Sequence, residues 1–352
     1  MSTSPALHRR VAATDHGTAV AEGPYGRPVT ASLTWQPTLS AADVDDIVSL
    51  LATAERADGT GPVSEDVRLT LRPDQRVGAA RHLLAVSATG VEASGPRRPI
   101  VGYAHLGGAL DSRQAEIVVD PGHRGLGIGR ALATALTEAL GDPPARLDVW
   151  AHGDLPPAAA LAARLGFART RVLFQLRRPL GAVAPLPEPQ LPAGVTVRAF
   201  VPGRDDEAWL AVNAAAFADH PEQGRWTLDD LALRRAEPWF DPRGFFVAER
   251  DGQLVGFHWT KIHEVDETPP PGTRPGPIGE VYVVGVLPGA GGAGLGRALT
   301  LIGLRHLQAE GLAAVLLYVD EDNERAVRMY TGLDFTVHTR DVSYHWRGAA
   351  AD

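Results

Sequence analysis

Two glycine clusters are the residues in this sequence best suited to chemistry. Gly125, Gly127 and Gly129 stand in PGHRGLGIGRAL (121–132), and Gly291, Gly292, Gly294 and Gly296 stand in PGAGGAGLGRAL (288–299). A strand that turns through glycines into a helix presents free N–H groups at the positive helix end. Phosphate oxygens can sit there, with no side chains to hold them away. Such a turn serves equally well as a tight turn with no ligand. Neither copy carries a P-loop lysine, and neither has the acidic residue that a dinucleotide fold places after its next strand. The chain has no cysteine, which excludes disulfides, thiolate metal sites and a cysteine nucleophile. His258 and His263 flank Lys261, but no carboxylate spacing completes a metal site and none is expected.

The elements that carry these turns recur. The segments IVGYAHL (100–106) and LVGFHWT (254–260) precede the two glycine clusters as strands. Each cluster leads into an apolar-rich helix, a further strand, and a short helix that closes on RLGF (164–167) or GLDF (332–335). Both halves therefore read as strand, strand, glycine turn, helix, strand, helix, strand. In the second half, 206–217 and 227–236 have helical periodicity, and GFFVAER and QLVGFHWTKIH form a hairpin across Asp251-Gly252. Residues 1–30 are polar and aperiodic and read as a flexible tail, while the proline-rich 181–193 reads as a linker. That gives an N-terminal domain over 31–180 and a C-terminal domain over 194–347.

Composition agrees with this division. At roughly 100–200 residues per domain, 352 residues make two domains. The net charge of -8 argues against a nucleic-acid partner. No apolar run approaches the ~20 residues of a membrane span, and the N-terminus has no secretory pattern, so a cytoplasmic location is expected. Of 34 basic residues a single one, Lys261, is lysine.

A strand, a proline, then R/Q-x-x-G-x-G/A at a helix start resembles the acetyl-coenzyme A signature of the GCN5-related N-acetyltransferases. Arg124, Gly127 and Gly129 match it, and Gly294 and Gly296 match it with Gly291 in the Gln/Arg position. The family's second signature, N-x-x-A-x-x-x-Y before a Gly-Phe end, is present as Asn323, Ala326, Tyr330 and Phe335, with Asp334 in place of the glycine. The first half keeps Gly-Phe but has neither the asparagine nor the tyrosine. The resemblance implies an α/β fold of two tandem acetyltransferase domains, each a mixed, mostly antiparallel central sheet flanked by helices. It makes the second domain the catalytic one and leaves the first non-catalytic but able to bind coenzyme A.

FADHPEQGRW (217–226), GFHWTKIH (256–263) and GEVYVVGV (279–286) further resemble the tandem acetyltransferases of mycothiol biosynthesis. The implied reaction acetylates the cysteinyl amine of a cysteine–glucosamine–inositol conjugate with acetyl-CoA as co-substrate, in a monomer without metal. An acetyltransferase for another amine (an aminoglycoside, a polyamine or a protein N-terminus) and a non-catalytic acetyl-CoA sensor are the alternatives. Amine acetylation needs a neutral amine, a polarised carbonyl and a proton for the departing thiolate. A chain without cysteine also cannot form mixed disulfides with the thiols of such a substrate and products.

By resemblance Glu280 is the general base, directly or through water, and Tyr330 donates a proton to the coenzyme A thiolate. The residue-level alternatives are a solvated carboxylate at a strand start and a tyrosine packing its helix on the sheet. Glu65, Glu222, Lys261, Glu280 and Tyr318 are the implied acceptor contacts. Against them stand a helix-start carboxylate at Glu65, a capped loop around Glu222 and a surface strand lysine at Lys261. The implied cofactor contacts in the first domain are Ile117, Val118, Val119, Gly125, Leu126, Gly127, Ile128, Gly129 and Arg130. In the second they are Val284, Gly285 and Val286 along the pantetheine arm, Gly291, Gly292, Ala293, Gly294, Leu295, Gly296 and Arg297 on the pyrophosphate, and Asn323, Glu324, Arg325, Ala326, Val327 and Arg328 beside the arm. Arg297 and Arg328 read otherwise as surface arginines.

Overall fold

The computed structural model describes residues 31–74, 80–88, 98–109, 111–141, 146–181, 185–218, 220, 223–265, 276–290 and 294–348. The tail over 1–30, Glu222, and Gly291, Gly292 and Ala293 lie outside the described residues. The chain forms two compact units, residues 1–151 with 156–168 and 344–352, and residues 152–155 with 169–343.

The first unit contains β1 (Ala31–Gln36), α1 (Ala41–Asp58), α2 (Glu65–Thr70), β2 (Arg81–Ser87), β3 (Ile100–Gly108), β4 (Ser112–Val119), α3 (Ile128–Glu138), β5 (Arg146–Ala151) and α4 (Pro156–Arg164). Its strands run in the order β1-β2-β3-β4-β5, antiparallel except for β4 and β5. α3 places Ile128, Ala131, Leu132 and Leu136 on one face of this sheet, and Ile47, Leu50, Leu51 and Ala54 of α1 belong to the cluster on the other.

In the second unit, β6 (Phe167–Pro179) is followed by β7 (Val195–Ala199), α5 (Asp206–Ala216), α6 (Leu228–Arg235), β8 (Phe245–Arg250), β9 (Gln253–His263), β10 (Ile278–Val286), α7 (Leu295–Ala309), β11 (Ala314–Asp320), α8 (Glu324–Thr331) and β12 (Thr336–Trp346). The strand order is β12-β6-β11-β10-β9-β8-β7. The hairpin between β8 and β9 turns on Asp251 (φ 53°) and Gly252 (φ 76°), the left-handed pair that a two-residue turn of matching twist requires. Each repeat shows the element order read from the sequence.

Repeats and compact units do not coincide. From Arg169 onward β6, the closing strand of the first repeat, belongs to the second unit, where it pairs antiparallel with β11 from Ala314↔Pro179 to Asp320↔Leu173. A buried strand edge needs a partner for its N–H and C=O groups, and β6 supplies one to β11. The units therefore do not divide at 181–193. Leu186 is buried in the second unit's core, and Arg305 donates to the Leu186 and Pro187 carbonyls and to Glu188. Prolines exclude a helix or central strand there without making the segment a boundary.

α7 holds this unit together. Its buried Leu301, Leu304 and Leu307 join Val281, Leu317 and Val319 from the sheet, each leucine contributing about 1.5–3 kcal/mol of apolar burial. Gly303 on the same helix lies against the fully buried His258 ring, whose Nδ1–H donates to the Leu299 carbonyl at 2.7 Å. A methyl group at Gly303 would overlap that ring. Gly303→Ala should therefore destabilise the protein by about 1–3 kcal/mol, the usual cost of overpacking a core. Denaturant midpoints should show His258→Ala/Gly303→Ala losing less than the sum of its single variants. Strict additivity would place the cost elsewhere than in this contact.

Candidate active site

The geometry of the second unit turns on where β10 leaves its parallel neighbour. β10 pairs with β11 at Gly279, Glu280 and Val281 and not beyond, while it continues to pair with β9 through Val284, Gly285 and Val286. The edge of β10 facing β11 is thus open from the point where the two strands part. Its register against β9 shifts between Val281 and Val283, a bulge at Tyr282. Bulges bend a strand and re-aim the side chains beside them. In the first unit β4 likewise parts from β5 after Glu116↔Trp150, leaving Ile117, Val118 and Val119 paired on one side only. There β3 and β4 pair without a shift from Gly102↔Val119 to Gly108↔Arg113.

Glu280 sits at the last paired stretch of β10, 6% exposed, facing Lys261 of β9 in register. Its Oε2 accepts a hydrogen bond from His263 Nε2 at 2.6 Å. Burial alone would push this carboxyl up, but the His263 hydrogen bond and the charges of His263 and Lys261 outweigh it and hold Glu280 below the usual carboxylate range. Lys261 is buried, which sets aside the surface-lysine reading. Its Nζ lies 4.5 Å from the Trp239 ring centroid and 5.3 Å from that of Tyr282, so ring quadrupoles replace part of its lost hydration. Tyr282 accepts a 2.8 Å hydrogen bond from Arg234, whose guanidinium stacks 3.7 Å over Trp226.

Tyr318, on β11, stands two residues beyond Leu316, the register partner of Glu280, and so on the same face. It keeps 45% of its surface open. Protein nonetheless surrounds its phenol closely enough that burial, with the negative charges of Glu280 and Asp341, raises its pKa well above the ordinary value. Tyr330 lies in the core cluster that contains Val281, Leu301 and Val319, edge-on to Phe335 at 5.7 Å, and burial pushes its phenol strongly up. Asp334 adopts the left-handed region (φ 62°), as Gly166 does in the first repeat (φ 76°), which accounts for the glycine expected there.

Both glycine turns end on a left-handed residue at the helix start, Gly127 (φ 87°) before α3 and Gly294 (φ 82°) before α7, and neither helix has a side-chain cap. By contrast Ser40, Ser64, Thr227 and Asn323 cap α1, α2, α6 and α8. The first backbone bond of α7 runs from Ala298 to Gly294, leaving the amides of Leu295, Gly296 and Arg297 without a helical acceptor. In α3 it runs from Ala131 to Gly127, freeing those of Ile128, Gly129 and Arg130. These donors and the open β10 edge suit a ligand with an amide-bearing arm and phosphates. Asn323 instead turns its Oδ1 to Ala326 N–H at 3.1 Å, and Arg328 pairs with Glu324. Arg124, the best match to the first signature, is held by Asp58 at 2.7 and 2.8 Å.

The structure brings Glu280, Lys261 and Tyr318 onto one face of the second unit's sheet. Glu65 belongs to the first unit, at the first position of α2 behind the cap Ser64. There Glu116, the last residue of β4 paired to β5, accepts from Ser64 N–H at 2.7 Å and Ser64 Oγ at 2.6 Å. The sequence reading missed the His263 bond to Glu280, the Trp239 and Tyr282 rings on Lys261, and the placement of Gln175 and Arg177 on β6 beside Tyr318. The available signal was period-two alternation, which sets His263 on the face of Lys261. His258 lies on the opposite face against α7.

Comparison with known proteins gives these features a family. The acetyltransferase (GNAT) family model matches residues 209–335, and a second acetyltransferase (GNAT) domain model matches 91–169. A tandem GNAT protein from the clavulanic acid biosynthesis pathway superposes with a TM-score of 0.63 at 22% identity, covering 91% of this chain and 100% of that one, a likeness of fold. The mycothiol acetyltransferase of Parafrankia is 59% identical over 325 residues, covering 89% of this chain and 98% of its own. That of Frankia casuarinae is 73% identical over 337 residues, covering 90% of this chain and 98% of its own. The chain belongs to the mycothiol acetyltransferase family, within the GCN5-related N-acetyltransferases.

Proposed function

We propose that the protein transfers acetyl from acetyl-CoA to the cysteinyl amine of a cysteine–glucosamine–inositol conjugate, giving mycothiol and CoA, with the chemistry in the second unit. The observation that carries this reading is a buried carboxylate, Glu280, kept ionised by His263 and Lys261 at the point where β10 opens its edge. Glu280 takes a proton from the acceptor ammonium, directly or through a water. The freed nitrogen lone pair attacks the thioester carbonyl, the C–S bond breaks and the thiolate takes the proton of Tyr330, while the acylated nitrogen loses its second proton to solvent, from which the Tyr330 phenolate is reprotonated. The open edge of Val284, Gly285 and Val286 holds the pantetheine amides as an added strand would, and the free amides of Leu295 to Arg297 hold the pyrophosphate. Glu222, Lys261 and Tyr318 contact the polar acceptor.

The first unit binds coenzyme A without turning it over. The acid at its strand opening is committed to Ser64, and its α4 has no tyrosine. Among the described residues no helix is long and apolar enough to cross a membrane. A cytoplasmic monomer acting on a small thiol-bearing substrate, without nucleic acid, completes the reading.

Purified protein should consume acetyl-CoA with the cysteinyl pseudodisaccharide and not with aminoglycosides or polyamines. Turnover confined to those amines, or none with any, would sink the assignment. Glu280→Gln and Tyr330→Phe should each lower turnover by about 10²–10⁴-fold, the range of general acid–base contributions. Wild-type rates would refute the assigned roles. His263→Ala removes a group that lowers the Glu280 pKa, leaving burial to raise it. Less base is then ionised at a given acidic pH, so the acid limb of kcat/KM should move to higher pH. An unmoved limb would mean that Glu280 is not the titrating base.

A further inference from the structure

Arg177, Gln175 and Tyr318 form a hydrogen-bonded chain whose polarity is settled by chemistry. Arg177 Nε donates to Gln175 Oε1 at 2.8 Å. A guanidinium can only donate, so this contact fixes which end of the Gln175 amide is oxygen. The amide nitrogen is then turned to Tyr318, and Nε2 donates to Oη at 2.8 Å. A phenol oxygen has one proton and two lone pairs. Accepting from Gln175 occupies a lone pair and leaves the O–H directed elsewhere. Among the described residues Gln175 is the only hydrogen-bond partner of that oxygen. The side chain is 45% exposed, on the face that carries Glu280. Burial, with the negative charges of Glu280 and Asp341, keeps the phenol protonated. Gln175 and Arg177 are both on β6, the strand that the first sequence repeat gives to the second unit.

We propose that Gln175, oriented by Arg177, locks Tyr318 as a hydrogen-bond donor, so that this corner of the site reads a carbonyl or hydroxyl oxygen of the acceptor substrate. Gln175 and Arg177 are positioning residues acting through Tyr318. The inference rests on the acetyl-transfer reading of the Glu280 site and adds to it the sense of one recognition contact.

Gln175→Glu tests the lock at nearly constant shape. A carboxylate at 175 keeps Arg177 as an ion-pair partner but can only accept, so the Tyr318 proton turns inward to it. Acceptor KM should rise about 3–10-fold, the loss of one neutral hydrogen bond, while the KM for acetyl-CoA stays unchanged. In a Tyr318→Phe background, Gln175→Glu should add little, because its effect passes through the hydroxyl. Gln175→Met, which removes the lock without adding charge, should move acceptor KM in the same direction and serves where the charged variant folds poorly. An unchanged acceptor KM in both Gln175 variants, or full additivity with Tyr318→Phe, would overturn the lock. Absence of turnover in the wild-type enzyme would instead overturn the assigned activity, and this inference with it.

Discussion

Two parallel strands that pair for a few residues and then part govern everything at the second unit's site. Up to Val281, β10 and β11 satisfy one another. Beyond it, β10 keeps only its β9 partner, and the N–H and C=O groups of its other edge face an opening. Backbone polar groups away from water need partners, so the opening favours an extended, amide-bearing ligand over an apolar one. The uncapped amides at the start of α7 extend the same logic to an anion. The core on the α7 side has to be firm enough to hold both strands at that divergence, and the leucine ridge of α7 with its close His258–Gly303 approach provides it.

The opening also explains why two buried ions are tolerable. Removing a carboxylate and an ammonium from water costs several kcal/mol each unless nearby groups compensate. Glu280 has a short hydrogen bond from His263 and Lys261 across the ladder. Lys261 in turn has the faces of Trp239 and Tyr282. An apolar pair in the same positions would pack more cheaply, so the expense points to chemistry rather than to stability. The bulge at Tyr282 belongs to this arrangement, since it shifts the alternation of β10 between the charged position and the open edge.

What could be read in the sequence was what is local. Glycine turns, the Asp251-Gly252 hairpin and the element order of both repeats depend on neighbours a few residues away. Lys261 was conspicuous as the single lysine, but the rings of Trp239 and Tyr282 that hold it come from other elements. What stayed hidden depends on partners far along the chain. The prolines of 181–193 mark where regular structure stops, but which unit β6 joins is decided by the unpaired edge of β11. The register shift at Tyr282 has no local signature, and neither does the His263–Glu280 bond that it accompanies. Asp334 looked like a departure from its motif, whereas its left-handed backbone shows the motif's geometry kept with a costlier residue.

The two repeats share a frame and differ in what stands on it. Each opens a strand edge beyond its parallel pairing, and each follows with a left-handed glycine and an uncapped helix. In the first unit, however, β4 has no bulge, and Glu116 spends both carboxylate oxygens on the cap of α2. Those two hydrogen bonds hold the Glu116 carboxylate to the start of a helix. Glu280 instead meets an imidazole N–H on Oε2 and an ammonium held by aromatic rings. One carboxylate caps a helix and the other faces a histidine and a lysine. The difference comes not from the fold but from a serine in one unit and a bulged tyrosine with its lysine in the other.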